Sequence, residues 1–130
     1  MGSFDFLLAA LSPLNLLLAL AGVVAGTVIG ALPGLTATMA VAVLVPFTFT
    51  MAPAAALIAL GAIYTGAIYG GAYAAVLLNT PGTPSSIATT FDGYPMARKG
   101  DGDLALTLAC LSSVIGGLIG AGFLLLLAPP

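Results

Sequence analysis

Hydrophobic residues dominate this chain in four long runs, which short polar or proline-containing stretches separate. The runs cover about residues 6–32, 36–51, 53–78 and 104–128. Because a membrane-spanning helix needs roughly 20 mostly apolar residues, the first, third and fourth runs are long enough to cross a bilayer. The second is short for a full span and is interrupted by Pro46. The pattern predicts an all-α integral membrane protein with three to four transmembrane helices.

Glycine residues recur every four positions in three of these runs. This spacing places them on one helical face, where small residues let a second helix approach closely in lipid. We therefore interpret them as packing faces rather than as ligand sites. The glycines are Gly22, Gly26 and Gly30 in the first run, Gly66 and Gly70 in the third, and Gly116 and Gly120 in the fourth.

Two Pro-Gly stretches interrupt the apolar pattern and carry the signals of helix starts. They are "LPGLTATM" (32–39) and "TPGTPSSI" (80–87), and hydroxyl residues follow the Pro-Gly pair in both. Thr36 and Thr83 suit the N-cap position, and Pro84 suits the first helical position after Thr83. Each stretch is thus predicted to end one helix and begin another.

The depth of the two Pro-Gly stretches decides what they can do. Broken backbone within the hydrocarbon costs several kcal/mol per unsatisfied group, so it persists only inside protein or beside a watery cavity. There, a helix N-terminus attracts anions without any lysine or arginine, and unwound carbonyls hold Na⁺ in secondary transporters. Ordinary turns at the membrane surface fit the same residues, so re-entrant segments and surface turns both remain open.

Charged residues make up 5% of the chain, against 61% hydrophobic, whereas soluble domains carry about 25%. All but Asp5 fall in a predicted polar loop, residues 92–103. Asp92 and Gly93, followed by Tyr94 and Pro95, suit a turn that leaves the membrane, and this interpretation is preferred to substrate contact. Arg98 and Lys99, the basic pair of this loop, predict that the loop lies in the cytoplasm. The side of the membrane on which the N-terminus lies depends on whether the second run crosses or returns.

Several classes of function are excluded by what the composition lacks. The chain has no histidine and one cysteine, Cys110, which makes a zinc or haem site improbable and rules out a Ser-His hydrolase within this chain. Two basic residues cannot form a nucleic-acid surface. We therefore predict no enzyme, no cofactor and no metal beyond a coupling Na⁺. The apolar runs also lack ionisable side chains for a proton relay, which favours Na⁺ over H⁺.

Two longer stretches resemble a known family. "GALPGLTATMAVAVLVPFTF" (30–49) and "YGGAYAAVLLNTPGTPSSIATTFDGYPMARKG" (69–100) are similar to signature stretches of the large, TctA-type permease subunit of the tripartite tricarboxylate transporters. The resemblance implies an ion-driven, Na⁺-coupled secondary transporter for citrate or related organic acids in the bacterial inner membrane. It also implies two partners, a small membrane subunit and a periplasmic solute-binding protein. Such permeases are several hundred residues long, so residues 1–130 resemble an N-terminal fragment of one polytopic domain.

The resemblance also carries candidate site residues, whose individual roles are our inference. Hydroxyls near a helix N-terminus suit the substrate carboxylate, while the amide and carbonyl groups of the broken stretches suit the coupling ion or support the loop. We expect Thr83, Ser85, Ser86 and Thr38 to bind substrate, Asn79, Thr80, Thr36, Gly34 and Gly82 to bind the ion or support the loops, and Pro33, Pro81 and Pro84 to form the loops.

A structural or assembly protein without transport activity is the alternative hypothesis. It predicts that Gly26→Leu or Gly66→Leu disrupts assembly through the glycine faces, and that Asn79→Ala has no effect. The transporter hypothesis predicts instead that Ser85→Ala combined with Ser86→Ala abolishes uptake while membrane insertion continues.

Overall fold

A computed structural model describes residues 3–128 of the chain. Helices account for most of this range, and no strand occurs within it. The predicted all-α architecture is confirmed. The elements are α1 (Ser3–Ala10), α2 (Pro13–Gly30), α3 (Ala37–Thr48), α4 (Pro53–Leu78), a 3₁₀ turn (Pro84–Ser86), α5 (Ile87–Arg98) and α6 (Gly102–Leu127).

Three of these helices, α2, α4 and α6, are long and apolar enough to cross a membrane. The 26 residues of α4 span about 39 Å at 1.5 Å per residue, which exceeds a hydrocarbon core of roughly 30 Å. By contrast, the 12 residues of α3 reach only about 18 Å. The predicted membrane protein is therefore confirmed, with the second apolar run too short to cross.

Helices α2 and α4 pack in parallel through glycines. A Cβ atom added at Gly26 collides with the carbonyl oxygen of Ile63, and one added at Gly30 collides with that of Ala67. The contacted residue on α4 moves from Ile63 to Ala67 as the glycine on α2 moves from Gly26 to Gly30. The two helices therefore run in the same direction. The absent side chains let the two backbones touch, as the four-residue spacing predicts.

The glycines of α4 make the reciprocal contacts with α2. An added Cβ at Gly66 meets the carbonyl oxygen of Val23, and one at Gly70 meets that of Thr27. Small residues on both surfaces therefore bring the helices together, and the packing role predicted for Gly66 and Gly70 is confirmed.

The glycines of α6 do not form the predicted packing face with any other described part of the chain. A Cβ added at Gly116 or Gly120 has no neighbour within 4 Å. The reason is that α6 packs on α4 and α5 through its first half, where Ala105 is its buried residue.

Helix α3 returns along α4 after α2 ends. Its residues Ala37 and Ala40 share a buried apolar cluster with Ile63 and Ala67 of α4. The predicted interruption at Pro46 is wrong, because Pro46 lies inside α3. Only a short segment of α3 follows the proline, so the missing N–H removes one hydrogen bond close to the helix end rather than dividing the helix.

The predicted polar loop at residues 92–103 is also wrong in its extent. Residues 92–98 belong to α5, and Gly93 is buried, with an added Cβ only 2.7 Å from Cγ2 of Val76. Glycine is therefore needed here for close packing of α5 on α4, not for a turn. The turn lies at Gly100, whose φ of +97° falls in the region that glycine adopts readily.

Candidate functional site

The second Pro-Gly stretch folds back along α4. Helix α4 ends at Leu78, and Asn79 reverses the chain with a left-handed φ of 55°. A Cβ added at Gly71 would lie 2.9 Å from Oγ1 of Thr83, so Thr83 lies beside Gly71. That position is two helical turns before the end of α4, a distance of about 10 Å.

Helix α5 then returns towards the C-terminal end of α4. Gly93 packs against Val76, and a Cβ added at Gly102, just after α5, would lie 4.0 Å from Cδ2 of Leu77. The chain thus leaves the end of α4, descends beside it and comes back to the same end. We call residues 79–98 the re-entrant hairpin. This path fits the re-entrant alternative that the sequence left open, and the depth of the turn in a membrane stays a prediction.

The two Pro-Gly stretches meet at one level of α4. A Cβ added at Gly82 would lie 2.8 Å from the carbonyl oxygen of Gly30 and 3.0 Å from Cα of Gly71. Gly30 is the last residue of α2, and Ala37, the first residue of α3, packs in the same cluster as Ala67. The C-terminus of α2 and the N-termini of α3 and α5 therefore converge. We call this region the junction.

Hydrogen bonds hold the start of the re-entrant hairpin's helix. The backbone N–H of Thr83 donates to Oγ of Ser86 at 3.2 Å, and Ser86 Oγ in turn donates to the Thr83 carbonyl at 2.8 Å. The hydroxyls of Thr83 and Ser85 are 3.0 Å apart. At α3, Oγ1 of Thr36 accepts from the N–H of Met39 at 3.3 Å. The predicted N-cap at Thr36 and the helix start after Thr83 are confirmed.

Burial separates the three hydroxyl residues of this helix start. Thr83 and Ser86 are buried, 6% and 4% exposed, and their hydrogen bonds are made within the turn. Ser85 is exposed. Of the three hydroxyls, that of Ser85 is therefore the one that an incoming ligand reaches without breaking the hydrogen bonds between Thr83 and Ser86.

A cleft of about 440 Å³ lies between α4, α5 and α6. We call it the polar cleft, because hydroxyls and one carboxylate lie among apolar residues on its walls. No lysine or arginine of the described chain lines it. Its polar side chains are Ser85, Ser86, Thr89 and Asp92 before and along α5, Ser112 and Ser113 on α6, and Tyr69 on α4.

A second groove, of about 520 Å³, lies between α2, α4 and α6. Valines of α2 and α6 form much of its wall, and no charged residue of the described chain lines it. Tyr69 borders both cavities and packs edge-on against Tyr73, with ring centroids 5.4 Å apart. The polar cleft is consequently the better candidate for a charged ligand.

The remaining predicted site residues lie outside the polar cleft. Thr38 is exposed on α3, Thr36 and Gly34 belong to the first Pro-Gly stretch, and Asn79 and Thr80 lie at the end of α4. Gly34 has a φ of +94° and no neighbour within 4 Å of an added Cβ, which fits a backbone-turning role. Their assignments to substrate or ion stay predictions, as do those of the loop-forming residues Pro33, Pro81 and Pro84.

Comparison with known proteins places the chain in a family. Residues 16–130 match the family model described as "Tripartite tricarboxylate transporter TctA family". The chain belongs to the TctA family. The resemblance seen in the sequence is thereby confirmed, and this family is one of membrane transporters.

A protein of Agrobacterium vitis is 46% identical in sequence to this chain over 121 residues. Its name is "Uncharacterized 52.8 kDa protein in TAR-I ttuC' 3'region". The match covers 93% of the present chain and 24% of the relative, so the chain spans about a quarter of that protein. No solved structure matches the chain.

Sequence reasoning missed part of the polar cleft of this TctA-family chain. It did not assign Asp92 or the serine pair of α6 to a binding site. The signal was the spacing of Ser85, Thr89 and Asp92, which places the three on one face when the segment is helical. Interpreting Asp92 and Gly93 as a turn concealed that face. The serine pair is Ser112 and Ser113.

Proposed function

We propose that this chain forms the N-terminal part of the permease subunit of a secondary active transporter for tricarboxylates or related organic acids. The permease works in the bacterial inner membrane with a small membrane subunit and a periplasmic solute-binding protein, driven by an ion gradient. Family membership supports the transport class. The observation that carries the proposal is the 3₁₀ turn before α5. Thr83, which precedes this turn, lies beside Gly71, and Ser85 and Ser86 within it border the polar cleft.

A carboxylate suits this position for electrostatic reasons. The N-terminus of α5 contributes the positive end of its dipole, and hydroxyls donate to carboxylate oxygens without the desolvation cost of a fixed cation. The cleft of about 440 Å³ lies within the range of roughly 300–1,000 Å³ that small-molecule sites occupy. Ser85 is the direct ligand in this proposal, and Ser86 and Thr83 hold its turn.

The fold supports an orientation for the permease. Arg98 and Lys99 end the re-entrant hairpin, and the positive-inside rule places them in the cytoplasm. The hairpin then enters from the cytoplasmic side. Because α2 runs parallel to α4, the α2–α3 pair enters from the periplasmic side, and the two elements meet at the junction. Discontinuous elements that meet within the membrane are typical of secondary transporters, in which they bind substrate and ion.

Serine substitutions in the complete permease test the proposal. Hydrogen bonds to charged groups contribute about 1.5–3 kcal/mol, so we expect Ser85→Ala to reduce carboxylate uptake by roughly 10- to 100-fold. Ser86→Ala additionally removes the acceptor of the Thr83 N–H, and the double variant should abolish uptake. The measurement is uptake of a labelled carboxylate that the wild type carries, normalised to permease in the membrane.

Thr107→Val is the matched control, because the Thr107 hydroxyl donates to the carbonyl of Asp103 within α6 and does not line the polar cleft. We expect near wild-type uptake. Normal uptake by the Ser85→Ala, Ser86→Ala double variant, at normal abundance, contradicts the proposal and favours the structural alternative.

A further inference from the structure

The polar cleft extends along the re-entrant hairpin, away from the junction. On the hairpin side its lining begins at Ser85 and Ser86 and ends at Met96, a helical distance of about 15 Å. On the facing wall the lining runs from Ser113 to Ala105, close to the start of α6. Since α6 starts just after the hairpin ends, the cleft connects the junction with the end of the hairpin that carries the basic pair.

Two hydroxyls on the walls of the polar cleft have no hydrogen-bond partner in the protein. Thr89 on α5 and Ser112 on α6 line the cleft, and neither makes a hydrogen bond with any residue that the structure describes. A hydroxyl placed in an apolar medium without a partner is costly, and inside a membrane the partner has to come from protein or from a water-filled cavity. Water in the cleft would satisfy both hydroxyls.

The second groove, between α2, α4 and α6, differs in this respect. Thr27 and Thr65 line it, and their hydroxyls donate to the carbonyls of Val23 and Gly61, one turn earlier in the same helices. Hydroxyls bonded in this way need no water, and valines form much of the remaining wall. The two cavities are similar in volume, about 440 and 520 Å³, so their chemistry distinguishes them. The groove suits hydrocarbon, whereas the polar cleft suits water.

The carboxylate of Asp92 gives an independent reason for water in the polar cleft. Asp92 is exposed on the cleft wall and makes no ion pair within the described part of the chain. Ionisable side chains in membrane segments face the interior of the bundle or a water-filled cavity, because hydrocarbon does not solvate a charge. The cleft volume of about 440 Å³ is many times the roughly 10–15 Å³ that one water needs.

From these observations we infer that the polar cleft is a water-filled path between the junction and the cytoplasmic surface, and that the organic acid passes through it. The inference rests on the proposed function for the cytoplasmic side and for the identity of the solute. A charged solute keeps much of its hydration in such a path, which lowers the cost of moving it through the membrane. The Asp92 carboxylate repels an anion beside it, so the solute binds at the Ser85 end and only passes Asp92.

Cysteine accessibility in the complete permease, with all native cysteines replaced by serine, tests the path. Ser112→Cys and Val114→Cys form a matched pair, because the two positions lie on opposite faces of α6, towards the polar cleft and the second groove respectively. The probe is a membrane-impermeant methanethiosulfonate with a sulfonate group, added to inside-out vesicles. The thiolate, which requires water at the sulfur, is the reacting form, so we expect Ser112→Cys to react at least about tenfold faster than Val114→Cys.

The side of access is tested with the same reagent in right-side-out vesicles. There Ser112→Cys should react much more slowly than in inside-out vesicles, because the path opens to the cytoplasm. Equal rates for Ser112→Cys and Val114→Cys in inside-out vesicles, no reaction of either, or faster reaction of Ser112→Cys from the periplasmic side overturns the inference.

Carboxylate uptake by the same proteins separates this inference from the proposed function. A permease that carries carboxylate while Ser112→Cys stays unlabelled contradicts the water-filled path and leaves the proposed function standing. Cytoplasmic labelling of Ser112→Cys in a permease that neither binds nor carries carboxylate supports the path and contradicts the proposed function. Where carboxylate is carried, a saturating concentration should slow the labelling of Ser112→Cys, and an unchanged rate overturns the passage of the organic acid through the cleft.

Discussion

Gly30→Leu in the complete permease should largely prevent correct folding. A Cβ at Gly30 collides with the backbone of Ala67, and backbone cannot move aside as a flexible side chain can. Overpacking costs about 1–3 kcal/mol in ordinary cores and occasionally more. We expect a loss of stability at the upper end of this range or above it, because the collision lies in the contact between α2 and α4. The measurement is the monodisperse fraction after mild solubilisation, together with its thermal stability.

Gly61→Leu is the matched control for this variant. Gly61 lies on α4 as well, but a Cβ there meets no atom within 4 Å among the described residues. Replacing glycine within a helix also removes a propensity cost of about 1 kcal/mol. Stability equal to or above that of the wild type is expected. Equal losses for Gly30→Leu and Gly61→Leu would contradict the assigned packing face.

Gly82→Val should abolish uptake while leaving the membrane-spanning helices assembled. A Cβ at Gly82 would lie 2.8 Å from the Gly30 carbonyl oxygen and 3.0 Å from Cα of Gly71, so a larger side chain pushes the second Pro-Gly stretch off α4. Misplacement of a binding group by about 1 Å can reduce function 100-fold. We expect a loss of uptake of at least that size at near-normal abundance.

Gly102→Ala controls for the effect of changing a glycine near the hairpin. Its added Cβ would meet its nearest neighbours, atoms of Ala97, at 3.6 and 3.7 Å, which is ordinary contact. Uptake should stay near the wild-type level. A Gly82→Val permease with normal uptake would show that transport does not require the junction.

The helix limits could be predicted where local chemistry decides them. The bounds of α4 coincide with the third apolar run, because Pro53 suits a first helical position and Asn79, followed by Pro81, suits a helix end. The α2–α4 contact could be predicted as well, since four-residue glycine spacing is a local pattern with one structural meaning in lipid.

The path of the hairpin could not be predicted from local signals. Pro95 and Gly93 are typical of turns, yet both lie inside α5, where Gly93 gains close contact with Val76 from another helix. Tertiary packing thus outweighs local propensity in this segment. Asp92 was missed for the same reason, because its position in the polar cleft depends on α5 being helical and lying beside α6.

The most direct test of the re-entrant hairpin is a depth measurement by electron paramagnetic resonance in the complete permease. Single cysteines at three exposed positions, Leu78, Ile87 and Lys99, would carry spin labels in a permease from which all native cysteines, Cys110 included, have been replaced by serine. The hairpin predicts that the label at Ile87 lies at least about 10 Å deeper in the membrane than the other two labels. It also predicts that the labels at Leu78 and Lys99 lie near the same membrane surface. Equal depth for all three labels, or Leu78 and Lys99 on opposite sides, would contradict it.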